Sequence, residues 1–232
     1  MKLDLLIPVY QPHDRWAEEL VEHYRLFVEG LSADVESRMI IVNDGSSKDL
    51  ANDALLIREL YPSTIWIDNP VNMGKGFTLR NAARHSSAEL IMYTDYDFPY
   101  TRKSMLSMVD LLLQDNCDAV VGNRDDSYYN HISGRRKRIS KFLKKMNSLI
   151  FRLPTSDTQC GLKAFKAKYR ELFLSTETDR YLIDVEFLKK LSKSKAQVCV
   201  QLVELRKGIE LSSISNLSLV KEAINYMRIM LG

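Results

Sequence analysis

Hydrophobic positions in the first half of the chain fall into two alternating kinds of segment. Short apolar runs at 3–10, 38–42, 63–67, 89–95 and 118–122 (LDLLIPVY, RMIIV, STIWI, ELIMYTD, DAVVG) have the length of strands buried on both faces. Between them, 16–29 places Trp16, Leu20, Tyr24, Phe27 and Val28 on one helical face. Further helices are predicted over 48–60, after the glycines of 72–82, and over 102–115. Strands alternating with helices predict an α/β fold, a mostly parallel sheet with helices on both faces. Ligands of such sheets bind beyond the carboxyl ends of the strands.

The second half is less regular. It holds a basic segment, a short strand in GLKAF (161–165), a helix over 181–193, a strand over 197–205 and a terminal helix over 216–231. No repeat or low-complexity linker interrupts it. One continuous domain over 1–212 is expected, with the amphipathic helical portion of 213–232 packed on or near it.

Charge changes this picture more than composition does. The net charge of +3 becomes −4 once the seven cations of 135–145 are set aside, so the basic character is local. That argues for one charged site rather than polyanion binding by the whole surface. In RRKRISKFLKKMNSLIFRL (135–153) the residues Ile139, Phe142, Leu143, Met146, Leu149, Ile150 and Leu153 form an apolar stripe opposite the lysines. This is the pattern of a basic helix lying on an anionic membrane, and equally of a core-packed helix with a solvated basic face. A nucleic-acid reader would interleave more aromatic residues than Phe142 and Phe151, so no nucleic-acid partner is expected. No apolar run reaches the roughly 20 residues that span a bilayer, and the N-terminus meets charge too early for a signal peptide. A cytoplasmic protein, peripheral on the inner face of the membrane, is expected. Cys117, Cys160 and Cys199 lack metal-ligand spacing and read as free thiols of a reduced compartment, without structural zinc. The histidines at 13, 23, 85 and 131 likewise lack ligand spacing.

Three polar clusters fall at strand ends. In VNDGSS, Asp44 follows the second strand, where a carboxylate can accept hydrogen bonds from a nucleobase or ribose, although such a turn is also a common structural feature. In NMGKGFTLRNA the glycines precede a helix, an arrangement that serves a phosphate or merely a tight turn, and Lys75 adds a point charge. In YTDYDF, Asp95 and Asp97 stand two apart, so extended geometry turns both to one side, and hard oxygen ligands of this kind suit Mg²⁺ or Mn²⁺ held jointly with phosphates. A solvated pair of loop acids is the plainer alternative. Asp184 and Glu186, in YLIDVEFL, read as helix-start acids or as braces of the site.

IPVYQP, VNDGSSKD, NMGKGFTLRNA, YTDYDFP, VGNRDD, SDTQCGLKAF and YLIDVEFL occur in the order seen in family 2 glycosyltransferases of GT-A (Rossmann-like) fold, and the resemblance covers roughly residues 3–212. The stretch DTQCGLKAF with the preceding Arg/Ser/Asn-containing helix is most similar to the dolichyl- or polyprenyl-phosphate mannose or glucose synthase branch. The resemblance implies an inverting, metal-dependent transfer of a sugar from a UDP- or GDP-sugar donor to an acceptor, a lipid phosphate in that branch. Transfer to a saccharide hydroxyl in polysaccharide or cell-envelope synthesis is the alternative within the family. A non-catalytic adaptor using the basic segment is the alternative outside it. A nucleotidyltransferase would want a Gly-rich, Arg-containing loop after the first strand, where this chain has YQPHDR.

The resemblance also assigns residues. Pro8, Tyr10 and Asp44 are implied to hold the nucleotide, Lys75 to place the donor, and Asp95 and Asp97 to bind the divalent cation and diphosphate. Arg206 is implied to clamp phosphates. Arg124, Arg136 and Ser140 are implied to meet the acceptor phosphate, and Asp157 and Gln159 to line the reaction centre, with Asp97 among the catalytic groups. The chain departs from the family pattern at Gln11, at Asn43, which replaces the first of two frequent aspartates, and at Phe98–Pro99, where a metal-ligating Gln often follows. A lipid phosphate needs cations rather than a strong base, because it is already largely dianionic at neutral pH. Asp157 is therefore expected to orient groups rather than to remove a proton.

Overall fold

The computed structural model describes residues 1–114, 116–124, 155, 157, 158 and 160–208. Arg136, Ser140, Gln159, the basic segment 135–153 and the helix expected over 216–231 lie outside the described residues. The elements are β1 (Lys2–Val9), α1 (Trp16–Val28), β2 (Glu36–Asn43), α2 (Ala51–Leu60), β3 (Ile65–Asp68), α3 (Lys75–Arg84), β4 (Leu90–Tyr93), α4 (Arg102–Leu113), β5 (Ala119–Arg124), β6 (Lys163–Lys166), α5 (Arg170–Leu174), α6 (Ile183–Lys193) and β7 (Val198–Val203). The sheet runs β3-β2-β1-β4-β6-β5-β7. All its pairings are parallel except those of β6, which lies antiparallel between β4 and β5.

The α/β sandwich expected from the alternation is present, and the inserted reversal of β6 is new. Nothing in a four-residue strand such as Lys163–Lys166 encodes its direction, so the sequence leaves this open. The reversal matters for the site. Residues just before β6 come to lie at the same end of the sheet as those just after the parallel strands.

Period-two alternation hidden inside the apolar runs feeds two separate cores. Leu3, Leu5, Ile7 and Val9 of β1 pack with Trp16, Leu20 and Phe27 of α1, Ile57 of α2, and Met105, Met108 and Leu112 of α4. On the other face Leu6, Ile40, Val42, Ile91 and Tyr93 meet Leu79 of α3, Phe173 of α5, and Phe187 and Leu191 of α6. There the rings of Phe165, Phe173 and Phe187 lie with centroids 4.9–5.3 Å apart. One acid, Asp4, is buried within β1. Its two oxygens accept from Nε and Nη2 of Arg38 at 2.9 and 2.8 Å. A fork of that kind is what a buried carboxylate needs.

Two local expectations are corrected. Cys117 and Cys199 are not free thiols but form a disulfide linking the approach to β5 with β7, their Cα atoms 6.0 Å apart; Cys160 is free and buried. β4 ends at Tyr93, so Asp95 and Asp97 do not alternate along a strand. They sit in a turn closed by the Phe98 N–H donating to the Asp95 carbonyl at 3.1 Å. Among the described residues no helix is long and apolar enough to cross a membrane.

Candidate active site at the strand ends

The described candidate residues gather at one end of the sheet. Pro8 and the exposed Tyr10 end β1, Asp44 follows β2, Lys75 opens α3, and Asp95 and Asp97 follow β4. Arg124 is the last residue of β5, Asp157 precedes β6, and Arg206 follows β7. Hydrogen bonds and ion pairs then sort them into linked subsites.

At the carboxylate turn, the Lys75 ammonium pairs with Oδ1 of Asp95. Asp95 is 40% exposed and Lys75 only 15%, so the carboxylate faces outward with the ammonium behind it. Oδ1 of Asp97 is buried without a hydrogen-bond partner. Burial first, and then the neighbouring Asp95 charge, push the Asp97 carboxyl up to about 6. Phe98 occupies the left-handed region (φ 44°), a strained conformation for a bulky residue. Arg206 holds that conformation: its Nε and Nη2 donate to the carbonyl oxygens of Phe98 and Asp97, each at 2.6 Å. The guanidinium therefore supports the turn from behind.

An orphaned, buried carboxylate oxygen beside an outward-facing second carboxylate is a fit for a hard divalent cation. No group of three or more Asp, Glu, His and Cys side chains with metal-binding geometry occurs among the described residues. Asp95 and Asp97 would hold such an ion from the protein side, with phosphate and water oxygens completing its shell.

The start of α3 is built differently from the phosphate cradle that its glycines suggest. Asp44 is buried, and its Oδ1 accepts from the Met73 N–H (2.8 Å) and Asn69 Nδ2 (2.9 Å), its Oδ2 from the Gly74 N–H (2.9 Å). The N–H groups of Gly76 and Phe77 donate to the Asp179 carbonyl at 2.8 and 3.3 Å. A Cβ on Gly76 would lie 2.1 Å from the Thr178 oxygen, so glycine is required for close approach of a second loop. Arg80 of α3 grips that loop through the Thr178 carbonyl (2.7 Å) and the Asp179 carboxylate. Glu186 of α6 accepts from the Glu177 and Thr178 N–H groups at 2.9–3.0 Å.

At the end of β5, the Arg124 N–H and Nε donate to Oδ2 of Asp157 (2.9 and 2.8 Å), and Nη2 donates to Oδ1 (2.6 Å). Both side chains are largely buried, and the hydrogen bonds and charge of Asp157 more than offset burial in holding the guanidinium pKa up. Tyr100 joins this subsite to the carboxylate turn: its hydroxyl accepts from the Gly161 N–H at 3.0 Å. A Cβ on Gly161 would stand 2.7 Å from Oδ2 of Asp95. Beneath lies a fully enclosed trio. Lys163 Nζ donates to the Cys160 carbonyl (2.5 Å) and to Oδ1 of Asp184 (2.8 Å), which also accepts from the Tyr93 hydroxyl (2.6 Å).

Asn69, Arg80, Tyr100, Gly161 and Lys163 were not singled out from the sequence. A lysine and a glycine inside GLKAF, between apolar residues, were the available signals. A hollow of about 630 Å³ between α2 and β3 is lined by Asn43, Ser46, Arg58, Trp66 and Asp68, so it borders the turn after β2.

A Rossmann-like sheet with an aspartate pair at the end of a central strand defines the class. The chain belongs to glycosyl transferase family 2, whose sequence pattern matches residues 11–173. It is 28% identical over 200 residues to the dolichyl-phosphate beta-glucosyltransferase ALG5A of Trichomonas vaginalis, covering 80% of this chain and 60% of that protein. It is 26% identical over 238 residues to ALG5D of the same organism, covering 98% and 72%. The chain thus spans about 60% of ALG5A's length. Mannosyl-3-phosphoglycerate synthase from Rubrobacter xylanophilus superposes with a TM-score of 0.71 at 16% identity, over 98% of this chain and 72% of that one. Glucosyl-3-phosphoglycerate synthase from Mycobacterium tuberculosis, solved in complex with Mg²⁺ and uridine-diphosphate, gives 0.67 at 12% identity, over 99% and 79%. At these identities the likeness is one of fold, the GT-A arrangement.

Proposed function

We propose that this chain is an inverting, divalent-cation-dependent glycosyltransferase that moves a hexose from a nucleoside-diphosphate sugar to the phosphate of a polyprenyl- or dolichyl-type lipid. The observation that carries the reading is the pair Asp95 and Asp97 at the end of β4, one carboxylate outward and the other with a buried unsatisfied oxygen. The family membership supports sugar transfer, and the relatives' names support a lipid phosphate. The neighbour solved with uridine-diphosphate makes UDP-glucose the first donor to try.

In this reading an oxygen of the acceptor phosphate attacks the anomeric carbon from the side opposite the donor diphosphate. The bond to the diphosphate breaks, and the leaving group departs with the electron pair. A divalent cation, when bound, neutralises charge growing on that leaving group. Asp95 and Asp97 would hold the cation, Lys75 pairs with Asp95, and Arg206 keeps the turn in its strained shape. A phosphate dianion has no proton to surrender, so no strong base is needed.

The geometry of Asp157 favours this acceptor over a saccharide hydroxyl. Both its oxygens are taken by Arg124, so it serves better as a brace than as a base. Arg124 is the described cation of the acceptor side, with Arg136 and Ser140 its expected companions. Docking of the basic segment on an anionic membrane surface belongs to the same proposal, because the acceptor is a lipid.

Donor binding is tested by thermal denaturation with UDP, GDP and their sugars, with and without Mn²⁺. A cation-dependent rise in melting temperature with one nucleotide is expected. Protection by anionic vesicles alone, with no nucleotide effect, would replace the enzyme reading with that of a membrane adaptor.

A further inference from the structure

We propose that Lys75 is a resident counter-ion that occupies the place of the divalent cation on Asp95 until cation and donor arrive together, so that the two bind as a coupled pair. This rests on the reading above, that Asp95 and Asp97 take a divalent cation with a nucleoside diphosphate.

Three observations converge on it. The Lys75 ammonium is bonded to the same carboxylate oxygen, Oδ1 of Asp95, that a cation would seek. The ammonium lies inside and the carboxylate outside, so an ion approaching from solvent meets Asp95 with a fixed positive charge directly behind it. Lys75 has a second anion within electrostatic reach, Asp184, which is anchored by Lys163 and Tyr93.

The charge count supplies the logic. Two carboxylates and one ammonium leave a single net negative charge, which a dication over-neutralises. A diphosphate brings the missing anions. Once the cation takes Asp95, the displaced ammonium is free to face the diphosphate. Cation alone thus binds against a resident competitor, and cation with diphosphate binds without one. Gly161 keeps the arrangement tight, since a Cβ there would also stand 3.3 Å from Lys75 Nζ.

The experiment is a Mn²⁺ titration of wild-type protein and of K75M, followed by calorimetry or electron paramagnetic resonance, with and without UDP or GDP. Wild type should bind Mn²⁺ weakly alone and much more tightly with nucleotide. K75M should bind Mn²⁺ alone about tenfold more tightly than wild type, while the nucleotide's enhancement shrinks by a similar factor. K75M binding Mn²⁺ alone no better than wild type would overturn the proposal while leaving the cation site intact. Wild type that binds no Mn²⁺ even with nucleotide would overturn the cation reading itself. Should K75M fail to fold, ¹⁵N-lysine-labelled wild type gives the answer. The Lys75 ammonium resonance should shift on adding Mg²⁺ with UDP, and an unmoved resonance under saturation would contradict the displacement.

Discussion

Arg124 clasps Asp157 with three hydrogen bonds of 2.6–2.9 Å, two from its guanidinium and one from its own backbone N–H. The pair joins the end of β5 to the turn before β6. Breaking such a buried pair typically costs about 3–5 kcal/mol, so Asp157→Asn should lower the melting temperature markedly. Its kcat/KM should also fall by a factor that stays constant from pH 6.5 to 8.5. A loss confined to the alkaline side, with Arg124→Ala harmless, would mean that Asp157 acts as a base on a hydroxyl acceptor.

Asp97 makes the site pH-sensitive in a definite direction. Its folded-state pKa of about 6 lies above the unfolded value of about 3.9, so the folded protein holds the proton more tightly. The sign follows from linkage: the cation-free protein loses stability as pH rises from about 4 to about 6. Divalent-cation affinity should rise over the upper part of that window, because the cation needs the ionised form. In Asp97→Asn both effects should vanish, as urea unfolding at several pH values and Mn²⁺ titration would show.

Arg206, which the family resemblance implies as a phosphate clamp, donates to the Asp97 and Phe98 carbonyls in this structure. Arg206→Ala should weaken Mn²⁺ binding by roughly 10- to 100-fold, as loss of a supporting group around metal ligands does. Arg206→Lys should not restore it, because an ammonium lacks the planar fork. Rescue by lysine would show that the charge alone matters and return Arg206 to the phosphates.

Much of this architecture was legible in the residues, and the gaps have physical causes. All seven strands were located in outline, most of them because strands buried on both faces leave an unbroken apolar signature. The direction of β6 left no trace, since Lys163–Lys166 reads the same either way. Asp95 and Asp97 were found as a pair, but for extended geometry rather than for the turn that holds them. Gly74 and Gly76 were seen, with a phosphate and a tight turn both left open. Their flexibility serves the loop 178–180, about a hundred residues on, which no local pattern could indicate. The disulfide between Cys117 and Cys199 joins positions 82 apart, which no local pattern of three cysteines could indicate.

That loop contact gives a stability prediction. Gly76→Ala forces a methyl group against the Thr178 carbonyl and should cost about 1–3 kcal/mol, typical of overpacking. Chemical denaturation would measure it. Nucleotide binding should weaken as well, because the loop after β2 and the start of α3 are tied together through Asp44.

The Lys163–Asp184 pair should behave as an enclosed charge rather than as surface decoration. Lys163→Met alone leaves Asp184 uncompensated and should destabilise by about 3–5 kcal/mol. The double variant Lys163→Met, Asp184→Leu should recover a substantial part of that loss, and equal or additive losses in the denaturation midpoint would contradict the pairing.

The central claim is transfer to a lipid phosphate, and one assay addresses it directly. Purified protein is incubated with radiolabelled UDP- and GDP-hexoses and Mn²⁺ or Mg²⁺, with and without a short-chain polyprenyl phosphate, and lipid-extractable label is counted. The account predicts label in the lipid fraction with one donor, only when the lipid phosphate and a divalent cation are both present. Transfer confined to saccharide acceptors, with none to the lipid phosphate, would contradict it.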